Sequence, residues 1–158
     1  MIKALNGGVG TQLGDWLAST FPRMYGAMSG GNDLAHKNNA YVASSFQSRF
    51  AVDGQRLDAQ VLATALGVYV TSTTLNNYGV GTQYGFLIAG NGVATATYNV
   101  GANGRAFGVA NNTEMTVMDL LLATDARAVN GILFNGKTGK RNKANRVFSG
   151  INQAGNIA

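Results

Sequence analysis

The sequence is short of charged residues and contains no cysteine. Charged residues make up 12% of its 158 positions, about half of the usual share in globular proteins. Glycine (22 residues) and asparagine (17 residues) take their place. A surface of uncharged polar groups is common in secreted bacterial proteins, and the lack of cysteine excludes disulfides, thiolate metal sites and a cysteine nucleophile. We therefore expect an extracellular or cell-surface protein that is stabilised by packing alone.

Long hydrophobic runs are also missing. No run approaches the roughly 18 residues that span a bilayer, so no transmembrane segment is predicted. The opening stretch 1–5 is too short for a signal peptide, and Asn6-Gly7-Gly8 interrupts it. A chain of this length fits one domain. We expect residues 1–158 to form a single globular domain of a larger multidomain protein, with any export signal upstream.

Hydrophobic residues repeat at helical spacing in five stretches. The predicted helices cover residues 11–21, 39–50, 57–70, 116–128 and 140–152. The third helix is apolar over most of its circumference, which favours a position at the centre of the fold. The fourth begins with Thr116 and Asp119, whose spacing is that of a capping box.

The same periodicity predicts which side chains face the core. In the second helix, Val42, Phe46 and Phe50 form one stripe. In the fourth, Thr124 interrupts the apolar stripe, and its hydroxyl can bond back to the preceding turn. In the last helix the basic side chains are expected to point outward. The core residues predicted for the other helices are Trp16; Leu57, Val61, Leu62, Ala65, Leu66, Val68 and Tyr69; Val117, Leu120, Leu121 and Ala128; and Ala144, Val147, Phe148 and Ile151.

The middle of the chain has β-prone patterns instead. Residues 84–89 and 93–100 are two such runs, and Gly90-Asn91-Gly92 between them predicts a hairpin turn. Together with the helices, this predicts one α+β domain that is mainly helical. It should contain about five helices and a β-hairpin or small antiparallel sheet.

One stretch matches a phosphate-binding loop by its letters. Gly131-Ile132-Leu133-Phe134-Asn135-Gly136-Lys137-Thr138 satisfies the pattern G-x-x-x-x-G-K-[ST]. A phosphate loop follows a parallel strand, whereas a predicted helix precedes this stretch, and the apolar centre of the motif favours burial. We interpret 131–138 as a buried connector with an Asn-Gly turn, and we expect neither a nucleotide nor another cofactor.

Five of the twelve basic residues lie within ten positions near the C-terminus. They are Lys137, Lys140, Arg141, Lys143 and Arg146. This group could contact an anionic surface, such as nucleic acid or lipid phosphates, but a solvated helix face explains it without a partner. Aromatic residues that could stack on bases are missing from that face, so nucleic-acid binding is not expected.

Tyrosines in and near the predicted hairpin form a candidate ligand platform. Tyr78, Tyr84 and Tyr98 could present their rings to a sugar. A carbohydrate-binding module of the cell envelope is therefore one alternative function. Trp16 is not part of this platform, because its helical spacing with leucines assigns it to the core.

No catalytic or metal-binding pattern is evident in the sequence. His36 is the one histidine; it lies in a polar stretch and is expected at the surface. Asp53 and Asp58 lie near the start of a predicted helix, where capping and the helix dipole account for them. We expect no catalytic residues and no metal site. Two carboxylates brought together by the fold could still serve a hydrolase, which stays a second alternative.

Several segments occur together in a familiar combination. They are Ile2–Gly8, Asp15–Pro22, Leu57–Leu66, Tyr98–Gly101, Ala106–Asn112, Arg141-Asn142, Ala144-Asn145 and Ile151–Gly155. With these segments the chain resembles a domain of large predicted extracellular bacterial proteins, often planctomycete-like, found near Cna-B or serine-aspartate-repeat B-like modules. The resemblance implies an exported, multidomain setting at the cell surface or matrix, and it implies no activity and no site residues. Residues 137–146 are more basic than that family leads us to expect.

These observations predict a non-enzymatic structural or adhesive module of a bacterial extracellular or cell-surface protein. The expected partners are the neighbouring domains of the parent protein. Cell-envelope glycans and self-association are the alternatives.

Overall fold

The computed structural model describes residues 1–52, 56–75, 80–84 and 92–154. Their α-helices are α1 (Gln12–Thr20), α2 (Pro22–Tyr25), α3 (Asn39–Ala51), α4 (Arg56–Thr71), α5 (Val80–Gln83), α6 (Val117–Ala126) and α7 (Thr138–Ala154). Short 3-10 segments cover Ile2–Gly8, Gly30–Asn32, Gly92–Thr95, Gly101–Phe107 and Leu133–Gly136. The strands are β1 (Thr97–Asn99) and β2 (Glu114–Thr116).

The predicted class is confirmed: the fold is α+β, mainly helical, with a small antiparallel sheet. Each of the five predicted helices coincides with one of α1, α3, α4, α6 and α7. The predicted number is nevertheless too low, because the described residues also hold α2, α5 and the 3-10 segments. Segments of this length contain too few residues to show a hydrophobic period. Pro22 ends α1 and also begins α2, since proline is tolerated in the first turn of a helix.

The described sheet includes a partner strand that the sequence did not predict. β1 pairs antiparallel with β2, and Tyr98 lies opposite Met115. The predicted hairpin placed the partner at 84–89, of which only Tyr84, a turn residue, is described; the turn at 90–91 lies outside the described residues as well. Gly92–Thr95 is a 3-10 segment instead of a strand. A three-residue strand such as β2 shows too short an alternation to be found by pattern.

Helix α4 lies at the centre of the fold, as its sequence predicted. It packs against α3, α6 and α7. All seven of its predicted core residues are buried. Each fully buried side chain of this size stabilises the folded state by roughly 1.5–3 kcal/mol, so α4 holds the other helices in place.

The predicted inward residues and the cap of α6 are confirmed, but the basic side chains of α7 do not all point outward, because Arg141 is turned to Asp58. The hydroxyl of Thr116 accepts the N–H of Asp119 at 3.0 Å and caps α6. The hydroxyl of Thr124 donates to the carbonyl of Leu120 at 2.8 Å, so this buried polar group has its partner within the helix. The predicted inward residues of both helices are buried.

The predicted inward stripe of α3 is wrong at its last position. Val42 is buried and Phe46 is half-buried, but Phe50 is 61% exposed, and its ring forms a T-shaped pair with that of Phe46 at 4.9 Å between centroids. Arg49 takes the inward position and is 8% exposed. At 100° per residue, Arg49 lies about 20° from Val42 around the helix and Phe50 about 80°. Helix geometry therefore favours burial of Arg49, although side-chain polarity favours Phe50.

None of the described helices combines the length and the apolar character that are needed to cross a bilayer.

Candidate functional site

A polar cavity of about 480 Å³ lies between α3, the first turns of α4 and α7, and the connector before α7. This volume is in the range of about 300–1,000 Å³ that is usual for small-molecule sites. Its described lining consists of Asn32, Ser45, Ser48, Arg49, Asp58, Asn130, Gly131, Ile132, Gly136 and Arg141. Most of these side chains carry amide, hydroxyl or charged groups, so the cavity favours a polar ligand.

Arg49 is the buried charge of this cavity. Its Nη1 donates to the carbonyl of Ser45 at 2.7 Å and also contacts the Ser45 hydroxyl. Its guanidinium carbon lies 5.8 Å from the centroid of the Tyr25 ring, within cation–π range. Among the described residues, no carboxylate forms an ion pair with Arg49, and its Nε and Nη2 groups donate no hydrogen bond. Within the described part of the chain, Arg49 is thus a cation beside the cavity that is held by Ser45 and Tyr25 and has no carboxylate partner.

Asp58 and Arg141, which also line this cavity, form an ion pair. Nη2 of Arg141 lies 2.8 Å from Oδ2 of Asp58, and its Nη1 donates to the carbonyl of Leu133 at 3.2 Å. Both side chains are about one-fifth exposed. The pair joins the start of α4 to the start of α7 and contributes no net charge to the cavity.

Gly131 allows the connector to pack closely against the segment around Asn32. It has a positive φ of 80°, and a Cβ there would overlap the carbonyl oxygen of Ser29 and the amide of Asn32. The Asn32 amide donates to the carbonyl of Gly131 at 3.4 Å. A side chain at position 131 would therefore separate the two segments that form this wall.

A second, much smaller cavity of about 10 Å³ continues the main one toward Tyr25. The two cavities share Asn32, Arg49, Asp58 and Gly131. Burial raises the pKa of the Tyr25 phenol above its usual value, partly opposed by the charge of Arg49. Tyr25 therefore contributes a neutral ring and hydroxyl to the base of the site.

The five basic residues predicted as an anionic-surface contact do not share one face. Arg141 points toward Asp58, whereas Arg146, five residues further on, lies about 140° away around α7 and is exposed. Lys143 is half-buried and donates to the carbonyl of Ala102 at 3.1 Å. Lys137 is exposed and Lys140 is half-buried. Of the five, only Arg141 lines the cavity.

Of the three tyrosines of the predicted ligand platform, two lie within the described residues. Tyr78 lies outside them, and Tyr84 is 55% exposed. Tyr98 is half-buried and packs against the core, where its hydroxyl occupies the space next to Gly150. Its ring is therefore used for packing. Trp16 also packs against the core and contacts Phe21 and Tyr69, as predicted.

The stretch that matches a phosphate loop follows α6 instead of a parallel strand. Leu133 and Phe134 are buried as predicted, but Ile132 is 53% exposed and lines the cavity. The N–H groups of Asn135 and Lys137 donate to carbonyls within the same segment, 3.2 and 3.0 Å away. These groups are therefore not directed at a common anion in the way that a phosphate loop requires.

Other titratable groups join distant segments instead of gathering at one site. Asp15 accepts the backbone N–H of His36 at 2.7 Å and the hydroxyl of Thr11, and these bonds lower the pKa of its carboxyl. Asp125 is buried and caps α2 by accepting the N–H groups of Arg23 and Met24; burial raises its pKa. His36, with a side chain 90% exposed, lies at the surface as predicted. The described residues contain no group of three acidic or histidine side chains that could hold a metal.

Sequence reasoning missed Arg49 as a site residue. One signal was available, because Arg49 is the seventh residue after buried Val42 and therefore lies on the same face of α3. That Arg49 lines one cavity with Asn130 and Arg141 could not be found this way, since Arg49 is more than eighty positions from each of them in the chain.

No family model, no curated protein and no solved structure matches this chain.

Proposed function

We propose that this chain is a non-enzymatic structural or adhesive module of a bacterial extracellular or cell-surface protein, and that the cavity beside Arg49 is its recognition site. The low charge, the absence of cysteine and the resemblance described above support the location. The polar lining of the cavity supports recognition of a small polar ligand or of the polar end of a larger one.

One observation carries the non-enzymatic part of the proposal. Asp58 is the one carboxylate in the described lining, and it is engaged with Arg141 at 2.8 Å. Hydrolysis of a glycosidic bond generally requires two carboxylates about 5–10 Å apart on either side of it. A site with one ion-paired carboxylate is suited to holding a ligand, so we infer binding without turnover.

A carbohydrate-binding module is the second candidate, and a specific observation favours it. Asn32, Ser45, Ser48 and Asn130 supply amide and hydroxyl groups to the cavity, and such groups pair with sugar hydroxyls. This version of the hypothesis places the sugar in the cavity and does not use Tyr78, Tyr84 and Tyr98.

Binding is tested on an array of cell-envelope glycans with the whole chain and two tryptophan variants. Ser48 is exposed at the cavity, so Ser48→Trp should fill it and abolish binding. Gln47→Trp changes an exposed neighbour on α3 that does not line the cavity, and it should bind like the wild type. Glycan binding that both variants retain would place recognition elsewhere.

Turnover is tested with nitrophenyl glycosides and esters. We expect release of nitrophenol at the rate seen in buffer alone. Release by the wild type that Asp58→Asn abolishes and Glu114→Gln retains would contradict the non-enzymatic proposal and support the hydrolase alternative.

A further inference from the structure

We infer that the ligand of this cavity is a small oxyanion that also carries hydroxyl groups, with an acidic sugar as the nearest chemical class. This inference rests on the proposed function, because it uses the same site. It adds the charge of the ligand, which the polar lining alone does not specify.

The charges of the described lining do not cancel. Arg49, Asp58 and Arg141 are its three charged residues in the described part of the chain. Asp58 and Arg141 neutralise each other at 2.8 Å, so Arg49 contributes a positive charge that no described carboxylate pairs with. The nitrogens of Arg49 that have no described partner are not among the fully buried unpaired atoms, so they remain open to a ligand. A single negative charge in the cavity would pair with this guanidinium.

The geometry of the Arg49 guanidinium suits an oxyanion. Ser45 holds Arg49 through Nη1, and the Tyr25 ring lies against the group. Nε and Nη2 donate to no described residue. A guanidinium presents its N–H groups as a planar fork that fits carboxylate or phosphate oxygens with two parallel bonds. Because the side chain is already held, little conformational freedom is lost when an anion binds.

The rest of the lining suits a ligand with hydroxyl groups. Asn32, Ser45, Ser48 and Asn130 offer both donors and acceptors, and the volume of about 480 Å³ exceeds what a bare inorganic anion needs. Ile132 adds an apolar surface at the cavity. A ligand that uses all of these groups has an oxyanion at one end and hydroxyls on its body. Uronic acids and sugar phosphates share this chemistry.

The inference is tested by calorimetric titration of the whole chain with four probes. They are D-glucuronate, glucose 6-phosphate, glucose and inorganic phosphate. We expect glucuronate or glucose 6-phosphate to bind at least about tenfold more tightly than glucose, since a hydrogen-bonded charge contributes about 1.5–3 kcal/mol and 1.4 kcal/mol is a factor of ten. Whichever of the two binds identifies the source of the oxyanion. Inorganic phosphate should bind more weakly than the preferred sugar.

Matched variants distinguish the effect of the Arg49 charge on binding from the effect of the open cavity volume. Arg49→Gln should weaken binding of the acidic probe at least about tenfold, whereas Arg146→Gln makes the same change of charge at an exposed position away from the cavity and should have no effect. Ser48→Trp leaves Arg49 in place but fills the cavity, and it should block binding, whereas Gln47→Trp should not. The tryptophan pair keeps the test valid if Arg49→Gln does not fold.

Three outcomes would overturn the inference. In the first, glucose binds as tightly as glucuronate and glucose 6-phosphate, and its binding is unaffected by Arg49→Gln but blocked by Ser48→Trp. This result would retain the cavity as a recognition site and exclude an oxyanion as part of the ligand. Inorganic phosphate binding as tightly as either sugar would show that the hydroxyls are not recognised. No heat of binding for any probe at millimolar concentration would exclude this ligand class altogether, while glycan binding blocked by Ser48→Trp would still support the proposed function.

Discussion

Helix α7 contacts α4 through polar groups in two places, and the two places differ in how completely those groups are paired. Near its C-terminus, Asn152 donates to the carbonyl and side chain of Gln60 and accepts the hydroxyl of Thr64 at 2.9 Å. Near its N-terminus, the ion pair of Arg141 with Asp58 borders the cavity that contains Arg49. In the first network the side chains of Asn152, Gln60 and Thr64 pair with one another, whereas Nε and Nη2 of Arg49 donate to no described residue in the second.

The pairing of polar groups near Asn152 and near Arg49 has different consequences for the fold. A polar group that finds its partner inside the protein stabilises the fold and fixes the packing of two helices. Arg49 is held by Ser45 and Tyr25, but its charge has no carboxylate partner within the described chain. The contact at Asn152 therefore stabilises the fold, and the contrast supports the proposal that the cavity at Arg49 serves recognition.

The largest expected effect comes from the apolar core beside the network at Asn152. Phe148 of α7 is fully buried, and its ring lies 6.0 Å from that of Phe107. Phe148→Ala should lower the free energy of unfolding by about 3–5 kcal/mol, because it removes buried apolar surface and leaves a cavity. Urea denaturation followed by circular dichroism measures the change. A loss below about 1 kcal/mol would show that α7 is not tightly packed.

A glycine pair tests the wall of the cavity. Gly131→Ala should lower the free energy of unfolding by about 1–3 kcal/mol, because position 131 has a positive φ and no room for a Cβ. Gly67 lies within α4 with open space around its Cβ position, so Gly67→Ala should raise stability by up to about 1 kcal/mol. Thermal unfolding of both variants provides the comparison. Equal effects would contradict the close contact at Gly131.

A second pair of variants, one in each region, tests the comparison of the two regions directly. Asn152→Ala should cost about 1–3 kcal/mol, because Gln60 and the hydroxyl of Thr64 each lose a partner. Arg49→Met keeps an apolar stem of similar length and removes an unpaired charge, so stability should stay the same or increase. Chemical denaturation of both proteins is the measurement. If Arg49→Met is the more destabilising variant, Arg49 belongs to the scaffold.

The smallest expected effect concerns a paired polar contact outside both regions. The bonds from His36 and Thr11 lower the pKa of Asp15, so its ionised form contributes stability above the ordinary value of 3.8, and this contribution is lost as the pH falls through the lowered value. Asp15→Asn should therefore be less stable than the wild type at neutral pH and equally stable in strong acid.

A substitution at His36 provides the control for this pH dependence. His36→Asn keeps the backbone N–H that Asp15 accepts and tolerates the positive φ at this position. It should retain the wild-type pH dependence. A parallel loss in both variants, measured as thermal midpoints from pH 2 to 7, would assign the effect to the imidazole.

Much of the fold could be predicted, and the reasons are local. The period of apolar residues located the five longer helices and the inward residues of α4, α6 and α7, because burial on one face imposes that period. The cap at Thr116 follows from a four-residue pattern. The pairing of β1 with β2 and the short helices α2 and α5 left no comparable local signal, since each is decided by contacts with distant parts of the chain.

The candidate site was much less predictable. Residue type marked Tyr78, Tyr84, Tyr98 and the basic residues near α7 as candidates, but of those that the structure describes only Arg141 lines the cavity. The structure adds Arg49 to the candidate site. The geometry of α3 places this residue on the inward face, although its polar side chain favours an exposed position. Residue type alone does not show which side chains meet across the fold.

The sequence by itself determined the class of the protein and the position of its central helix, because apolar patterning and capping act over a few residues. Only the tertiary structure decided which charges are paired and which face a cavity. The physical reason is distance along the chain: Asp58 meets Arg141, and Asp125 caps α2, through contacts that span 83 and about 100 residues. Such contacts form only when packing of the whole domain brings the segments together.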